Sequence, residues 1–253
     1  MTTQPLSKAD LHIHTFFSDG LMSPETLIEY VVEKTDLRVI AITDHDTVAG
    51  SLVAQAYWRR FPQDFGRLEV IAGAEVTSAD GDILALFIED DIPPGLSAAE
   101  TVERIHAQGG LAIAAHPYAF MFGLLGLDGM KGVGDQIRTV GFDGVEVRNA
   151  TPSEFFSNRR TGWVNRKARR AATGGSDTHY LPTVGSTYTL FPGTTAQDLR
   201  HAIETCQTRA GGREYSPFLI QALLRDLFSR RLPYRHINAG RAADWPLWAD
   251  RPA

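Results

Sequence analysis

Short apolar runs alternate with segments of helical periodicity along most of the chain. The runs are typical of β-strands, and many are apolar at consecutive positions, as in a sheet covered on both faces. They fall at Leu6–Ile13, 38–43, 68–74, 83–88, 111–115, 142–147 and 187–191. Apolar residues spaced three or four apart predict helices between them. The alternation predicts an α/β fold with a mostly parallel sheet and right-handed crossovers.

Capping signals locate most of the helices. A Ser, Thr or Asp at the start, followed by Pro or by an acidic residue three positions later, is a strong N-terminal signal. The predicted helices begin at Ser23, at Asp46 or Thr47 (ending near Arg60), at Ser97 (closed by Gly109-Gly110) and at Thr195 (ending near Cys206). A further helix over 158–171 carries five arginines and one lysine.

Three other segments allow more than one interpretation. The apolar, glycine-rich segment 119–134 is either a packed loop or a flap over a pocket. The acidic run 89–91 is either a solvated loop, which we favour, or a metal site. After Gly211-Gly212 the composition changes, and 217–231 has an amphipathic pattern that predicts a helix packed outside the main fold or, alternatively, a dimer contact.

Polar side chains stand where the predicted strands end. His12 and His14 are two residues apart on a strand, so they face one point, and Asp19 follows in a Ser-Asp-Gly turn. Other strand ends carry Asp44, His45, Glu75, His116, Asp177 and His179. A barrel brings such ends to one rim, whereas an open doubly wound sheet, the alternative fold, brings fewer of them together.

This set of residues predicts bound cations. Clustered carboxylates repel one another unless a cation balances them. Nitrogen and oxygen ligands without cysteine favour a catalytic cluster of two or three divalent ions over a closed structural zinc site. Manganese, zinc and iron all suit such a mixed set.

Composition narrows the setting. The 253 residues are 43% hydrophobic and 22% charged, with a formal net charge of -5, which is ordinary for a globular protein and argues against a stable nucleic-acid partner. The single cysteine, Cys206, excludes an intramolecular disulfide. The N-terminus has no apolar signal segment, and no apolar run is long enough to span a bilayer, so we expect a cytoplasmic protein without membrane attachment.

The ordered motifs resemble those of the PHP (polymerase and histidinol phosphatase) superfamily over roughly residues 8–210. They are Asp10–Thr15 with Ser18-Asp19-Gly20, Ile42–Asp46, Gly73–Thr77, Ala115–Pro117 and Gly175–His179. The resemblance implies a distorted seven-stranded (β/α) barrel over 6–210. It also implies a metal-dependent phosphoesterase. The change in composition after Gly211-Gly212 predicts a C-terminal helix and tail over 211–253, packed on the barrel or extending from it.

The resemblance further implies a division of the ligands. One ion would be held by His12, His14, Glu75 and Asp177; a second by Glu75, as a bridge, and His116; and a third by Asp19, His45 and His179. Several trinuclear members carry one more histidine between the positions of His116 and Asp177, and this chain has none there. Glu146, Asn149, Glu154, Asn158 or water is the expected replacement.

The expected chemistry is attack by a metal-bridging hydroxide near Glu75 on a phosphate ester. Asp44 would orient its neighbour His45 or transfer a proton, and Arg148 is the favoured phosphate-binding residue. The expected substrate is a phosphorylated small molecule or a nucleotide. The alternatives are a metal-dependent hydrolase of an amide or ester bond and a non-catalytic metal-binding domain.

Overall fold

The structure, a computed structural model, describes residues 5–119 and 131–215. Within these ranges, ten strands form two five-stranded sheets. The strands are β1 (Leu6–Asp10), β2 (Val39–Ala41), β3 (Glu69–Ile71), β4 (Gly73–Thr77), β5 (Asp82–Leu86), β6 (Leu111–Ala114), β7 (Gly144–Asn149), β8 (Ala171–Gly175), β9 (Thr187–Pro192) and β10 (Arg209–Gly212). One sheet has the order β10-β9-β1-β2-β3 and the other β4-β5-β6-β7-β8.

Two isolated bridges join the sheets at one end. Ile13, beyond β1, pairs with Thr178, beyond β8, and His45, beyond β2, pairs with Glu75 in β4. The α/β class is thus confirmed, and the bridges trace a ring through β1, β2, β4, β5, β6, β7 and β8. Continuous ladder pairing does not run around that ring in the described residues, so the closed seven-stranded barrel stays a prediction.

The expectation of a mostly parallel sheet is wrong. Four of the eight strand pairings are antiparallel. The connection from β4 to β5 is the short turn 78–81, and a parallel crossover needs a dozen or more residues. The apolar run 68–74 is also two strands, because β3 pairs with β2 while β4 pairs with β5.

The helices cover the sheets where the capping signals predict. They are α1 (Pro24–Lys34), α2 (Ala49–Arg60), α3 (Pro62–Phe65), α4 (Ala98–Ala107), α5 (Phe155–Ala168) and α6 (Ala196–Glu204). The side chains of Ser23, Ser97 and Thr195 accept hydrogen bonds from the backbone at the starts of α1, α4 and α6. The basic helix begins three residues earlier than expected and ends at Arg169, whose φ is 58°.

The start of α2 departs from its prediction. Asp46 accepts from Thr77 N instead of capping the helix, while Thr47 Oγ1 accepts from Ala49 N at 3.2 Å. Asp91 accepts from Val48 N at 2.7 Å, so the otherwise exposed acidic run 89–91 also supports this helix start. The amphipathic segment 217–231 and most of 119–134 lie outside the described residues.

The described part of the chain has no helix with the length and apolar character needed to cross a membrane. The buried apolar residues form three clusters between the sheets and their helices. The polar strand ends lie together beyond this core, at the end where the two bridges join the sheets.

Gly50 lets α2 begin against this end of the sheet. A Cβ there would lie 2.1 Å from Asp44 Oδ2 and 2.9 Å from Thr15 Oγ1. We expect Gly50→Ala to lower the free energy of unfolding by about 1–3 kcal/mol through overpacking, measured by urea denaturation. Gly162→Ala in α5 is the matched control, because its Cβ would meet nothing within 4 Å, and it should stabilise the protein by about 0.4–1 kcal/mol. Equal effects of the two substitutions would contradict this account.

Candidate metal centre

Most of the predicted ligands follow one of four strands, and one of them lies within a fifth strand. His12 and His14 follow β1, His45 follows β2, His116 follows β6, Asp177 and His179 follow β8, and Glu75 is in β4. Backbone hydrogen bonds tie neighbouring ends together, since His14 N donates to Thr178 O at 2.9 Å and Asp46 N to Glu75 O at 2.8 Å. The ligands therefore belong to a braced framework and not to separate loops.

Local backbone geometry turns two of these side chains inward. His116 has a φ of 24° and Asp177 a φ of 51°. Such conformations cost of order 1–3 kcal/mol each for residues with a Cβ and persist only where the surrounding structure holds them. Here the turn takes each chain away from its strand while its side chain stays in the cluster.

Four buried residues form an inner group: His12, His14, Glu75 and Asp177. His12 Nε2 lies 3.1 Å from Glu75 Oε2 and 3.5 Å from Asp177 Oδ1. His14 Nε2 lies 3.3 Å from each of the same two oxygen atoms. The structure thus brings together the four residues expected to share the first ion.

Glu75 faces two groups at once. Its Oε2 is turned toward His12 and His14, and its Oε1 lies 3.0 Å from His116 Nε2. A carboxylate whose two oxygen atoms face different imidazoles has the geometry of a bridge between two ions. Glu75 is 1% exposed, so water does not screen these contacts.

An outer group stands at the solvent side. Asp19 Oδ2 lies 3.0 Å from His179 Nε2 and 3.8 Å from His45 Nε2. Asp19 Oδ1 is 3.6 Å from His14 Nδ1, so His14 contacts both groups. The side chains of Asp19, His45 and His179 are 32–40% exposed, which leaves this group open to solvent.

Glu146 and Asn149 hold the inner group from behind. Glu146 Oε1 accepts from His12 Nδ1 at 3.0 Å, which fixes the ring so that Nε2 points at the cluster. Glu146 Oε2 accepts from His116 N at 2.9 Å. Asn149 Nδ2 donates to Glu146 Oε2 at 3.1 Å and to Asp177 Oδ2 at 3.0 Å. Both residues were expected only as substitute ligands.

Asp44 braces the loop that carries the outer ligands. It is fully buried. Its Oδ1 accepts from Thr15 N at 2.6 Å and from Ser18 Oγ at 2.7 Å, and its Oδ2 from Thr15 Oγ1 at 2.7 Å. These contacts fix the turn between His14 and Asp19, and none of them is to the neighbouring His45.

Sequence reasoning missed two other braces. Asp10 is fully buried and accepts from Ser176 N at 2.9 Å and Gly185 N at 2.8 Å, which ties the end of β1 to the segment after β8. Burial raises its pKa to about 6 against the effect of these hydrogen bonds. Tyr215 donates through its hydroxyl to Ser176 O. The sequence did contain a signal for Asp10, because its spacing from His12 and His14 places all three side chains on one strand face.

Arg148 lies outside the cluster. Its Nη1 donates to Gly212 O at 2.7 Å, and its side chain lines a surface groove with Arg159. The pairing of β7 with β8 shifts register between Glu146 and Arg148. This irregularity allows Glu146 to face the cluster while Arg148, two residues later, faces away from it. A phosphate-binding role for Arg148 stays a prediction.

The charges of the cluster are strongly coupled. Burial opposes the charged form of His14, but Asp177 and Glu75 outweigh it and raise the pKa to about 10. Burial likewise opposes a charged His116, and Glu75 raises its pKa to about 9. Burial favours the neutral acids, yet the imidazoles, His12 foremost, hold the pKa of Glu75 and Asp177 well below the ordinary range.

These residues fit divalent ions. Both ring nitrogens of His14 and the Nδ1 of His116 are buried and have no hydrogen-bond partner among the residues that the structure describes, although buried polar atoms are normally paired. Ligand atoms within 4.8 Å of one another form three groups: His14, Asp19, His45 and His179; His12, His14 and Asp177; and His12, Glu75 and His116. Ions at these positions would bind the unpaired nitrogen atoms. They would also replace the histidine protons whose positive charge otherwise balances the carboxylates.

Two family models match the chain. The model of the PHP domain matches residues 10–157, and a model described as PHP-associated matches residues 156–208. Together they span the ligand-bearing strands and α5.

The chain is also similar to curated proteins and to a solved structure. An uncharacterized protein of Methanocaldococcus jannaschii is 40% identical over 56% of this chain and 82% of its own. The 5'-3' exoribonuclease Rnm of Salmonella typhimurium is 36% identical over 40% of this chain and 35% of its own. A two-domain protein of Bacteroides vulgatus, whose description names a PHP-like metal-dependent phosphoesterase, superposes with a TM-score of 0.66 at 21% identity. That superposition covers 83% of this chain and 66% of the other and shows a shared fold.

The protonated imidazoles predict a pH-dependent stability of the metal-free protein. His14 and His116 have raised pKa values of about 10 and about 9, so their contribution is complete below about pH 6.5 and is lost as the pH rises through these values. We expect the melting temperature in chelator to fall by about 5 °C or more between pH 7 and pH 10. The manganese-loaded protein is the control, because it shares every other titrating group, and it should change much less. An equal fall in both forms would contradict the prediction.

Proposed function

Because the chain belongs to the PHP domain family, we propose that it is a metal-dependent phosphoesterase that hydrolyses a phosphate ester of a small molecule or nucleotide. The observation that carries the proposal is the position of Glu75, buried with its two oxygen atoms facing different imidazoles. This geometry is suited to joining adjacent divalent ions, which is the arrangement that phosphoryl-transfer sites use.

His12, His14, Glu75 and Asp177 would hold one ion, Glu75 and His116 a second, and Asp19, His45 and His179 a third. When bound, manganese, zinc or iron would supply charge to neutralise a phosphate and would make water a stronger nucleophile. The chain's own contribution is to fix these ligands. Glu146 orients His12, and Asp44 fixes the turn between His14 and Asp19.

The side chains of the site differ in their exposure to solvent, and this difference indicates the side from which a substrate would enter. His12, His116 and Glu75 are at most 2% exposed, whereas Asp19, His45 and His179 are partly open to solvent. A phosphate would therefore approach past the outer group, with its ester oxygen toward solvent. Burial on the far side excludes bulk water from the reacting centre and strengthens its electrostatic contacts.

Glu154 is the best candidate for the ligand that replaces the missing histidine. It is 1% exposed, its Oε1 accepts from Ser153 Oγ at 3.4 Å, and its Oε2 has no hydrogen-bond partner in the described part of the chain. Burial raises its pKa, and the charges of Glu146 and Asp177 raise it further against that of His116, so it is electrostatically coupled to the cluster. Asn158 is a poorer candidate because its amide is bonded to the backbone of Asn149.

Removing the bridge should remove the metal. We expect Glu75→Ala to lose bound metal and phosphate release together, measured by elemental analysis and by assay of phosphate-ester, amide and carboxylester panels. Glu146→Gln keeps the ligand set and should weaken metal affinity by about 10–100-fold. Exposed Glu89→Ala is the control and should change neither quantity. Full phosphate release by metal-stripped protein, or hydrolysis confined to the amide or carboxylester panel, would refute the proposal.

We propose that Arg148, whose side chain lines the surface groove and faces away from the cluster, binds the phosphate of a substrate that extends from the cluster to this groove. Loss of a hydrogen bond to a charged phosphate should lower kcat/KM for phosphate esters by about tenfold or more, measured by phosphate release with Arg148→Ala. Metal content should not change, because Arg148 contacts Gly212 O and none of the ligands. Exposed Arg104→Ala is the matched control. An unchanged kcat/KM, or a parallel loss of metal, would contradict this role.

A further inference from the structure

A groove of about 630 Å³ lies between α5 and β10. Arg159, Trp163 and Arg166 line it from α5, Arg148 from β7 and Arg209 from β10. Residues 159, 163 and 166 are three or four apart, so they share one face of the helix. We refer to this feature as the arginine groove.

The arginine groove concentrates positive charge. The described residues that line it include four arginines and no Asp or Glu. One lining residue contacts an acid, since Asn158 Nδ2 donates to Glu214 Oε1 at 3.3 Å. The whole chain has a formal net charge of -5, and the expectation against a stable nucleic-acid partner rested on that total. The groove is a local departure from the overall charge. Four like charges in one groove repel unless anions lie among them.

Trp163 adds a stacking surface to this charge. It is 51% exposed, which is unusual for the largest aromatic side chain. Lys167 Nζ lies over the Trp163 ring, 4.5 Å from its centroid. Its ammonium group adds a fifth positive charge beside the groove. An exposed indole among cations offers a platform for the flat face of a nucleobase, whatever the base.

The groove adjoins the metal centre without being part of it. Asn158 lines the groove, and its Oδ1 accepts from Asn149 N at 2.9 Å. Asn149 in turn donates to Asp177 in the inner group. One side chain therefore separates the groove from residues that contact the ligands.

We propose that the arginine groove binds single-stranded polynucleotide, with phosphates on Arg159, Arg166 and Arg209 and a base stacked on Trp163. Several separated guanidinium groups match a chain of phosphates better than one small anion, which would leave most of them unpaired. The positive groups line a concave channel, whereas a membrane surface is flat and is bound by a convex face. Binding at this groove does not depend on the hydrolytic activity of the metal centre.

The test measures binding by full-length, metal-loaded protein to a fluorescent, phosphorothioate-linked single-stranded oligonucleotide, which resists hydrolysis. The groove variant combines Arg159→Ala, Arg166→Ala and Arg209→Ala. The matched control combines Arg59→Ala, Arg104→Ala and Arg138→Ala, which removes the same charge from other exposed positions. Fluorescence anisotropy is measured at several salt concentrations. Vesicles of anionic phospholipid and the mononucleotide AMP are tested in parallel, and hydrolysis of nitrophenyl phosphate reports on the metal centre.

The groove variant should bind at least about tenfold more weakly, with a salt dependence that is shallower by about 2 in log K against log salt, since each lost phosphate contact contributes about 0.7. Trp163→Ala should weaken binding by about tenfold. The control variant and the hydrolysis of nitrophenyl phosphate should be nearly unchanged. Equal weakening in both triple variants, binding to AMP as tight as to the oligonucleotide, or binding to vesicles alone would each overturn the proposal. If the unmodified, metal-loaded protein does not hydrolyse nitrophenyl phosphate, this result contradicts the proposed phosphoesterase activity. It does not contradict the proposed binding of polynucleotide in the groove.

Discussion

The arrangement of this end of the molecule depends on the buried carboxylates of Glu75 and Asp177, which require positive charge beside them. Each is surrounded by imidazoles at 3.0–3.5 Å and is nearly sealed from water. Charges so placed are stable only when positive charge accompanies them. In the metal-free protein that charge is carried by protons on histidine, and divalent ions can take their place. The need for balancing charge explains why so many ligand-type residues converge in one place.

Holding such a cluster requires a second layer of polar residues. Asp10, Asp44 and Glu146 are all at most 1% exposed, and each accepts hydrogen bonds from segments that carry ligands. Each accepts at least three hydrogen bonds from backbone and side-chain donors, so they fix backbone segments and ring orientations. The bridges Ile13–Thr178 and His45–Glu75 add backbone pairing between the two sheets. Ligand geometry here is a property of the framework and not of single side chains.

The sequence was informative where a chemical requirement selects residue types. Side chains that bind divalent ions through nitrogen or oxygen are chiefly His, Asp and Glu, and their positions after apolar runs identified all eight side chains that the structure brings together. Asp44, which was selected in the same way, braces the loop between His14 and Asp19 instead. Helix starts were predicted for a similar reason, because few residues satisfy the free N–H groups at Ser23, Ser97 and Thr195.

Features that depend on backbone register were not predictable in this way. Nothing in the run 68–74 shows that the chain changes sheets between Ile71 and Gly73. The register shift in β7 separates Glu146 from Arg148, although a regular strand would turn them to the same side. The antiparallel direction of β5, by contrast, was predictable, because the predicted strands 68–74 and 83–88 leave only the eight residues 75–82 between them, too few for a parallel crossover.

The graded exposure of the ligands also implies an order in time. Ions bound as proposed would reach the outer group directly from solvent, whereas exchange at His12 and His116 would require the structure to open around them. The two ends of the cluster should therefore equilibrate with metal in the surrounding solution on different timescales. The inner positions would therefore hold the metal that was available while the chain folded. The outer position would hold metal according to the current concentration in solution.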